Sequence, residues 1–271
     1  MTRCRNMPQA EKIQEMFDSI APEYDAFNHI TSLGIDRLWR RRALRYVRGP
    51  HVLDEACGTG DFSIAIARHL AKNSARVQGN PGPDKEWHWS VTGVDMSEGM
   101  LDVMTRKVAE AGLEAASQDE GGLPHDGIRA EAGDCCSLRF ADCSFDTVTV
   151  AFGVRNFADR EKALREAIRV LRPGGRFVML ELGIPGNAIV RAAYKFYFTR
   201  IMPLIGGRMS GNKAAYRYLP ASVLGFPQKE EWTATMCAAG FTNVTHRALS
   251  LGICRLYVGT APSAGLTTNT P

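Results

Sequence analysis

The sequence predicts an α/β protein built on a doubly wound, mostly parallel sheet. Short apolar segments typical of buried strands alternate with segments that carry apolar residues at helical spacing. Glycines or polar residues follow several of these strands, at the edge where an open parallel sheet binds its ligands. With 271 residues, 45% of them hydrophobic, the chain is long enough to bury a full core, most simply as one domain with additions.

Composition excludes several function classes. The net charge of +4 is too small to indicate a nucleic-acid partner, so none is predicted. The seven cysteines form neither a paired framework nor a C-x-x-C motif, which argues against a secreted, disulfide-stapled protein and against a metal site. Since neither a signal peptide nor an apolar membrane-spanning run is present, we expect a cytoplasmic enzyme.

Residues 1–48 are predicted to form an N-terminal helical extension. A helix over 11–21 has one apolar face and stops at Pro22, residues 24–29 form a loop with aromatic and ionisable groups, and a second helix covers about 36–47. The arginine-rich part of that second helix is interpreted as a solvated basic side. A membrane-surface patch is the alternative.

A strand, a tight turn and a helix follow in the stretch VLDEACGTGDFS, residues 52–63. Gly58 and Gly60 let the backbone approach a ligand closely, and the start of the helix offers free N–H groups. A dinucleotide fingerprint would place a third glycine where this chain has Ser63. The stretch therefore predicts a nucleotide-like ligand of another kind.

Acidic residues around this turn indicate which ligand. Asp54, Glu55 and Asp61 would repel a pyrophosphate, whereas they suit a ligand with an ammonium and a sulfonium group and no phosphate. S-adenosylmethionine (SAM) fits that description. The alternative is an ordinary α/β turn whose acids are merely solvated.

The next two strand ends extend the predicted cofactor site. Asp95 ends the strand over 89–95, and its carboxylate can accept both ribose hydroxyls. A Gly/Pro-rich loop insertion, 72–88, explains its long distance from the glycines. After a second insertion, 115–127, a strand ends at Asp134 and Cys135, which are expected near the adenine.

The rest of the chain completes the sheet. A strand over 145–152, a helix over 163–171 and a strand over 176–181 follow in order; a helix from about 227 to 239 and strands over 244–249 and 253–259 end the domain. A helical lid insertion, 184–225, interrupts the alternation. The predicted division is therefore 1–48 for the extension, 49–262 for the catalytic domain and 263–271 for a disordered tail.

Six motifs resemble the quinone-biosynthesis C-methyltransferases, which are class I SAM-dependent methyltransferases. The resemblance spans about 16–260 and rests on MFDSIAPEYDAFNHITSLGIDRLWRRR, VLDEACGTGDFS, VTGVDMS, FDTVTVAFGVRNF, ALREAIRVLRPGGRFVMLE and AAYRYLPASVLGFPQ. It implies a Rossmann-like fold and SAM-dependent C-methylation of a polyprenyl quinol in menaquinone or ubiquinone synthesis, with demethylmenaquinol to menaquinol as the favoured reaction.

The resemblance also implies the site residues. The cofactor contacts carried over are Asp54, Gly58, Thr59, Gly60, Asp95, Asp134 and Cys135. Some members have a serine where this chain has Ala151, so a hydroxyl contact there is lost or supplied otherwise. Another small-molecule SAM methyltransferase, or a non-catalytic quinone-binding protein with this fold, are the competing functions.

The implied chemistry assigns the remaining residues. A quinol that loses its phenolic proton needs a fixed cation for the oxyanion, and Arg155 is the candidate, with a structural salt bridge as its alternative. Asn156 can orient a quinol hydroxyl. Tyr24, Asp25 and His29 are candidate proton-handling groups, although a plain surface loop is the favoured interpretation of His29.

A membrane-bound substrate sets the remaining expectations. The aromatic segment 192–205 is predicted either as a lid against the polyprenyl tail or as ordinary core packing. Its apolar and basic residues predict transient contact with the membrane surface, hence peripheral membrane association. The sequence leaves open whether the chain forms a homodimer.

Overall fold

Seven strands in the order β3-β2-β1-β4-β5-β7-β6 form the centre of the protein, and all neighbours pair in parallel except around β7, which is antiparallel to β5 and β6. A computed structural model of the chain describes residues 13–21, 24–25, 32, 34–77, 88–114, 126–201 and 213–263. The strands are β1 His51–Glu55, β2 Ser90–Asp95, β3 Gly127–Ala132, β4 Phe145–Ala151, β5 Leu171–Leu182, β6 Thr242–Leu249 and β7 Cys254–Thr260. The predicted doubly wound α/β fold is confirmed.

Helices cover the sheet, and further helices form an extension at the N-terminus. They are α1 over residues 13–21, α2 Ile35–Ala43, α3 Asp61–Val77, α4 Glu98–Glu110, α5 Arg160–Val170, α6 Ala188–Phe196, α7 Lys213–Leu224 and α8 Glu230–Ala239. Two buried apolar clusters lie against the sheet: one includes Trp39, Ile66 and Val91, and the other includes Phe145 and Trp232.

The chain order reverses between β1 and β4, and this reversal positions the site. From β1 the chain builds outward through β2 to β3, then returns to place β4 on the other side of β1. In such sheets a crevice opens outside the carboxyl ends of the two strands at the reversal. Asp54 of β1 pairs in register with Thr149 of β4 and with Gly93 of β2, so the carboxyl ends of all three strands lie at this edge.

The N-terminal helix α1 docks on the start of α4. Asp18 accepts hydrogen bonds from the Ser97 hydroxyl and, at 3.2 Å, from the Gly99 amide, while Ser97 caps α4 by accepting from the Met100 amide. Ser97 is thus the N-cap of α4, and Asp18 adds a second acceptor at the same helix end. This arrangement places Tyr24 and Asp25, which follow α1, beside the crevice.

Three predicted boundaries are wrong. Helix α3 continues to Val77, so the first insertion begins later than the predicted residue 72. Helix α2 ends at Ala43 and tightens into a 3₁₀ turn at Leu44–Tyr46. Strand β5 begins at Leu171, because that residue already pairs with Phe145 before the Pro-Gly-Gly turn, and the register shifts across the turn.

Several predictions fall outside the described residues. These are His29, the parts of the two insertions at 78–87 and 115–125, the stretch 202–212 of the lid, and the tail from 264. Within the described ranges, no helix is long and apolar enough to cross a bilayer.

Candidate active site

The turn after β1 depends on its glycines. Gly58 and Gly60 have φ values of 54° and 80°, in the left-handed region that side chains disfavour. A Cβ on Gly60 would also lie 2.5 Å from Cγ of Met104, because α4 packs directly against the turn. Both reasons explain why the sequence needs G-x-G here.

Asp54 is held inside the turn by two hydroxyl groups. Ser63 Oγ and Thr149 Oγ1 each donate to one of its carboxyl oxygens at 2.6 Å. Burial raises the pKa of Asp54 to about 6, against these hydrogen bonds. Ser63, which stands where a dinucleotide fingerprint would have its third glycine, therefore stabilises Asp54.

Glu55 contributes less negative charge than the sequence suggested. It points to the opposite face of β1 from Asp54, is 1% exposed, and its Oε1 has no hydrogen-bond partner among the described residues. Burial raises its pKa well above the ordinary range, which disfavours the charged form of this carboxyl.

Asp95 is fixed by backbone donors. The Gly58 amide donates to Oδ2 and the Ser97 amide to Oδ1, both at 2.9 Å, while burial raises the pKa of the carboxyl against those bonds. Each oxygen keeps a second lone pair that can accept another hydrogen bond. The end of β2 is thus tied to the glycine turn, and its ribose contact stays a prediction.

Asp134 and Cys135 lie next to this group with different surroundings. Asp134 is exposed and accepts a hydrogen bond from the Cys136 amide at 2.8 Å. Cys135 is buried; burial raises the pKa of its thiol, and the Ala56 amide opposes that shift. Their predicted place near an adenine stays a prediction.

A lysine joins the N-terminal extension to the glycine turn. Lys107 Nζ lies 2.6 Å from Asp25 Oδ2 and 2.6 Å from Asp61 Oδ1. Thr59 Oγ1 donates to the other oxygen of Asp25. Asp25, predicted to handle a proton, is therefore engaged on the cofactor side of the crevice.

Arg40 also enters this group, although the sequence analysis placed it on a solvated surface. Arg37, Arg41, Arg42 and Arg45 are exposed as expected, whereas Arg40 is buried. Arg40 Nη1 donates to Asp36 and lies 3.8 Å from Asp61 Oδ2. Its i,i+4 spacing from Asp36 was the signal that could have set it apart.

Part of this group lines a cleft that opens to solvent. Its lining comprises Tyr24, Asp25, Arg40, Asp54, Ala56, Cys57, Gly58, Thr59, Asp61, Phe62, Ala151 and Phe152. The carboxyl ends of β1 and β4 and the extension therefore form one site.

Phe152 marks the border between this cleft and a second polar cluster. Its φ of 62° is strained for a bulky residue, and its ring lies 5.5 Å from the guanidinium carbon of Arg40. Its carbonyl accepts a hydrogen bond from Arg155 Nη1. One residue thus contacts arginines of both clusters.

Arg155 centres the second cluster. It is 7% exposed, and Nη1 donates to Glu181 Oε1 at 2.9 Å while its backbone amide donates to Glu181 Oε2 at 3.2 Å. The salt bridge that was the alternative interpretation of Arg155 is thus present, and its partner Glu181 lies in β5. Arg155 Nε has no partner among the described residues.

Three phenols lie within electrostatic range of this arginine. Tyr218 of α7 donates from its hydroxyl to Asn156 Oδ1 at 3.0 Å. The hydroxyl of Tyr194 is buried without a partner in the described part of the chain, and burial raises the pKa of both phenols, opposed by the charge of Arg155. Arg155 also lies within electrostatic range of Tyr24. The lid helices thus contribute polar groups to the site.

The arrangement can be compared with known proteins. The chain matches the ubiE/COQ5 methyltransferase family over residues 5–261. It is 41% identical over 263 residues to "Ubiquinone/menaquinone biosynthesis C-methyltransferase UbiE" of Geobacter sulfurreducens, covering 96% of this chain and 92% of that one. It is 39% identical over 255 residues to "Demethylmenaquinone methyltransferase" of Bacteroides fragilis, covering 93% of each.

This chain belongs to the ubiE/COQ5 methyltransferase family. Solved structures show the same fold at low identity. A possible histamine N-methyltransferase of Thermotoga maritima matches with a TM-score of 0.56 at 16% identity, covering 91% of this chain and 99% of that one. The putative methyltransferase solved with the Haloferax volcanii Trm112 activator also has a TM-score of 0.56, at 17% identity, covering 91% and 97%.

The methyltransferase is SAM-dependent, and its cleft fits that cofactor. Asp25 and Asp61 supply negative charge, the glycine turn presents backbone, and Asp95 keeps acceptor capacity. Among the described residues, no group of three or more His, Cys, Asp or Glu side chains could hold a metal ion.

Four residues of the candidate site were not predicted from the sequence, namely Arg40, Lys107, Glu181 and Tyr218. Tyr218 lies in the motif YRYL, which carried the resemblance without an assigned role. Glu181 ends the apolar run of β5, and an acid after a buried strand was the available signal. Nothing in the local sequence sets Lys107 apart from other helix-surface lysines.

Proposed function

We propose that this enzyme methylates a ring carbon of a polyprenyl quinol in menaquinone or ubiquinone synthesis, with demethylmenaquinol to menaquinol as the favoured reaction. The observation that supports it is the two-part site: a cofactor cleft borders a second cluster whose buried arginine is within electrostatic range of three phenols. Relatives named for ubiquinone/menaquinone biosynthesis and for demethylmenaquinone support the same reaction class.

The cofactor supplies an electrophilic methyl group. In this proposal the cofactor is held by the turn residues Gly58, Thr59 and Gly60. Asp95 accepts hydrogen bonds from its ribose, and its adenine lies beside Asp134 and Cys135. Asp54 acts within the protein, because both its oxygens already accept hydroxyl groups.

The second cluster handles the quinol. Loss of a phenolic proton makes the neighbouring ring carbon nucleophilic, and the positive charge of Arg155 stabilises the oxyanion in a site shielded from water. Glu181 holds that guanidinium in place, and Asn156 and Tyr218 orient a quinol hydroxyl. Of the two groups predicted to handle the proton, Asp25 is bound through both oxygens by Thr59 and Lys107 on the cofactor side, which leaves Tyr24 as the candidate beside the quinol.

The proposed reaction is tested in cells and with purified enzyme. Deleting the gene should cause a quinone lacking one ring methyl to accumulate, and the wild-type gene should restore the methylated product. With purified enzyme, demethylmenaquinol should be methylated faster than the benzoquinol substrate at equal tail length. If no demethylated quinone accumulates, the proposed pathway is wrong.

We propose further that the enzyme works peripherally at the cytoplasmic membrane surface. Several apolar side chains on and near the lid are exposed, among them Ile189, Phe196, Ile201 and Leu251, with Leu251 at 73% and Ile189 at 81%. Leu251 has a φ of 59°, and its neighbour Gly252 lies beside Pro185, so this turn adjoins the start of α6. Arg191, Lys195 and Arg200 supply basic charge, which suits anionic lipid.

Packing in the aromatic segment supports a lid. Tyr194 and Phe198 have ring centroids 4.3 Å apart, and Tyr197 lies 6.1 Å from Phe198, so three rings form a small cluster of their own. Phe196, between them in sequence, is 61% exposed. A segment that packs on itself while exposing a phenylalanine is typical of a surface element that covers a ligand.

Vesicle sedimentation tests the membrane contact. Replacing Ile189, Phe196 and Leu251 by serine should reduce binding to anionic vesicles, and raising salt should reduce wild-type binding. Leu38→Ser, which removes an exposed apolar side chain from α2, is the matched control and should bind like wild type. Equal binding by the triple variant and the control would refute a contact at this surface.

A further inference from the structure

The acidic residues of the cofactor cleft do not explain how the carboxylate of SAM is bound. Three aspartates line the cleft: Asp54 is held by protein hydroxyls, whereas Asp25 and Asp61, which share Lys107, suit the ammonium and sulfonium groups. The methionine end of SAM also carries a carboxylate, which those acids would repel. Among the described residues that line the cleft, Arg40 is the only one with a positively charged side chain.

Arg40 is held ready for such a partner. Nη1 is bound to Asp36, whose other oxygen accepts from Ser32 at 2.7 Å, so the arginine is anchored from one side. Its guanidinium lies over the Phe152 ring, which fixes its plane. Nε is buried and has no hydrogen-bond partner among the described residues.

An unpartnered buried donor on a cationic side chain costs free energy unless a ligand satisfies it. The side chain is 11% exposed, and that position borders the glycine turn, since Asp61 Oδ2 is 3.8 Å from Nη1. A guanidinium binds a carboxylate through paired N–H groups better than any other side chain does. The site therefore fits a carboxylate ligand set beside an acid.

We propose that Arg40 binds the α-carboxylate of the methionine part of SAM, while Asp61 and Asp25 face its ammonium group. The assignment makes α2 part of the cofactor site, although α2 precedes the glycine turn in the chain. It depends on the SAM cofactor and not on which quinol is methylated, so binding can be measured without quinol.

Decarboxylated SAM provides the test, because it lacks only this carboxylate. By calorimetry, wild-type enzyme should bind decarboxylated SAM about ten- to a hundredfold more weakly than SAM, the size expected for one charge-assisted contact. Arg40→Met should lose affinity for SAM and for S-adenosylhomocysteine by a similar factor. Its preference should vanish or reverse, because decarboxylated SAM carries more positive charge into an acidic cleft.

Two variants separate binding from folding. Arg41→Met removes an exposed arginine from the same helix and should bind all three ligands like wild type. Arg40→Lys keeps the charge without the planar fork and should retain part of the preference for SAM. Thermal melting of each ligand-free variant reports whether loss of the Asp36 contact unfolds α2, and the wild-type comparison does not depend on any variant.

The outcomes are distinct. Equal wild-type affinity for SAM and decarboxylated SAM would overturn the proposal, and so would an Arg40→Met variant that loses the same factor for both ligands, since Arg40 would then only shape the cleft. Failure of wild-type enzyme to bind SAM at all would instead contradict the cofactor assignment.

Discussion

The two polar clusters on either side of Phe152 differ in how their charged groups are satisfied. On the β1–β2 side, the acids Asp54 and Asp95 accept hydrogen bonds from neutral hydroxyl and backbone amide groups. On the β4–β5 side, Arg155 is paired with the opposite charge of Glu181, and Asn156 accepts a hydrogen bond from Tyr218 of α7.

In the proposed reaction, this difference follows from what each cluster would hold. A cofactor of constant shape can be bound by a rigid turn whose groups are fixed in advance. A substrate with a long apolar tail needs a wall that can move aside, and the second cluster is closed by helices of the lid. We therefore expect substitutions near the glycine turn to change cofactor affinity, and substitutions near Arg155 to change stability and quinol turnover.

The largest effect is expected from Glu181→Gln, which removes the anionic partner of Arg155. Because the pair is buried, an uncompensated guanidinium should lower the free energy of unfolding by roughly 3–5 kcal/mol. Urea denaturation measures it. Glu161→Gln breaks an exposed pair with Arg165 and serves as the control, with a loss below about 0.5 kcal/mol. A loss in Glu181→Gln as small as in the control would show that the pair does not support the cluster.

The next effect is a pH dependence set by Asp54. Its pKa rises from the ordinary 3.8 to about 6 in the folded protein, so the folded state binds this proton more tightly than the unfolded chain. The resulting stability is fully present below pH 3.8 and is lost as the pH rises through about 6, a change of about 3 kcal/mol.

Asp54→Asn should remove that loss, so its stability relative to wild type should increase between pH 4 and 7. Urea denaturation across this pH range measures the difference. Asp102→Asn, an exposed acid on α4, should follow the wild-type curve. If Asp54→Asn and wild type stay parallel across the range, Asp54 is not the buried acid that titrates.

A smaller effect is expected at Asp95, where the two functions of the residue combine. Asp95→Ala removes the acceptor for the Gly58 and Ser97 amides as well as the proposed ribose contact, and SAM affinity should fall by about 1–3 kcal/mol. Calorimetry gives this value. Asp102→Ala is the control and should leave it unchanged. Undiminished SAM binding by Asp95→Ala would remove Asp95 from the cofactor site.

The sequence predicted the cofactor cluster better than the Arg155 cluster. The G-x-G turn, Asp95 and the Ser97 cap lie within short stretches whose local pattern determines their structure, and the structure places them together. The fold class followed from the alternation of strands and helices. Glu55 shows the limit even here, because neighbouring Asp54 and Glu55 look alike in sequence while β1 turns them to opposite faces.

The second cluster was less accessible from sequence. Arg155 and Asn156 were found through the motif FGVRN, but their partners Glu181 and Tyr218 meet them only in the folded chain. Phe152 was assigned to a strand, and no residue pattern indicates its left-handed conformation. Burial of Arg40 likewise depends on where α2 packs, not on the charges beside it.

The smallest and sharpest effect concerns the bond between lid and site. Tyr218→Phe removes the hydroxyl that donates to Asn156 and should lower the free energy of unfolding by about 0.5–1.5 kcal/mol. Because the bond lies on the Arg155 side, KM for the quinol should rise while SAM affinity stays the same. Steady-state kinetics and calorimetry measure the two.

A double-mutant cycle identifies the bond itself. Asn156→Ala should produce a similar change, and combining it with Tyr218→Phe should add little, because both remove one interaction. Tyr46→Phe, in the 3₁₀ turn after α2, is the control for loss of a phenol elsewhere. If the free-energy changes of the two single variants add in full, Tyr218 and Asn156 act independently. If SAM affinity falls as much as quinol affinity, the clusters on the two sides of Phe152 form one coupled site and do not differ in function.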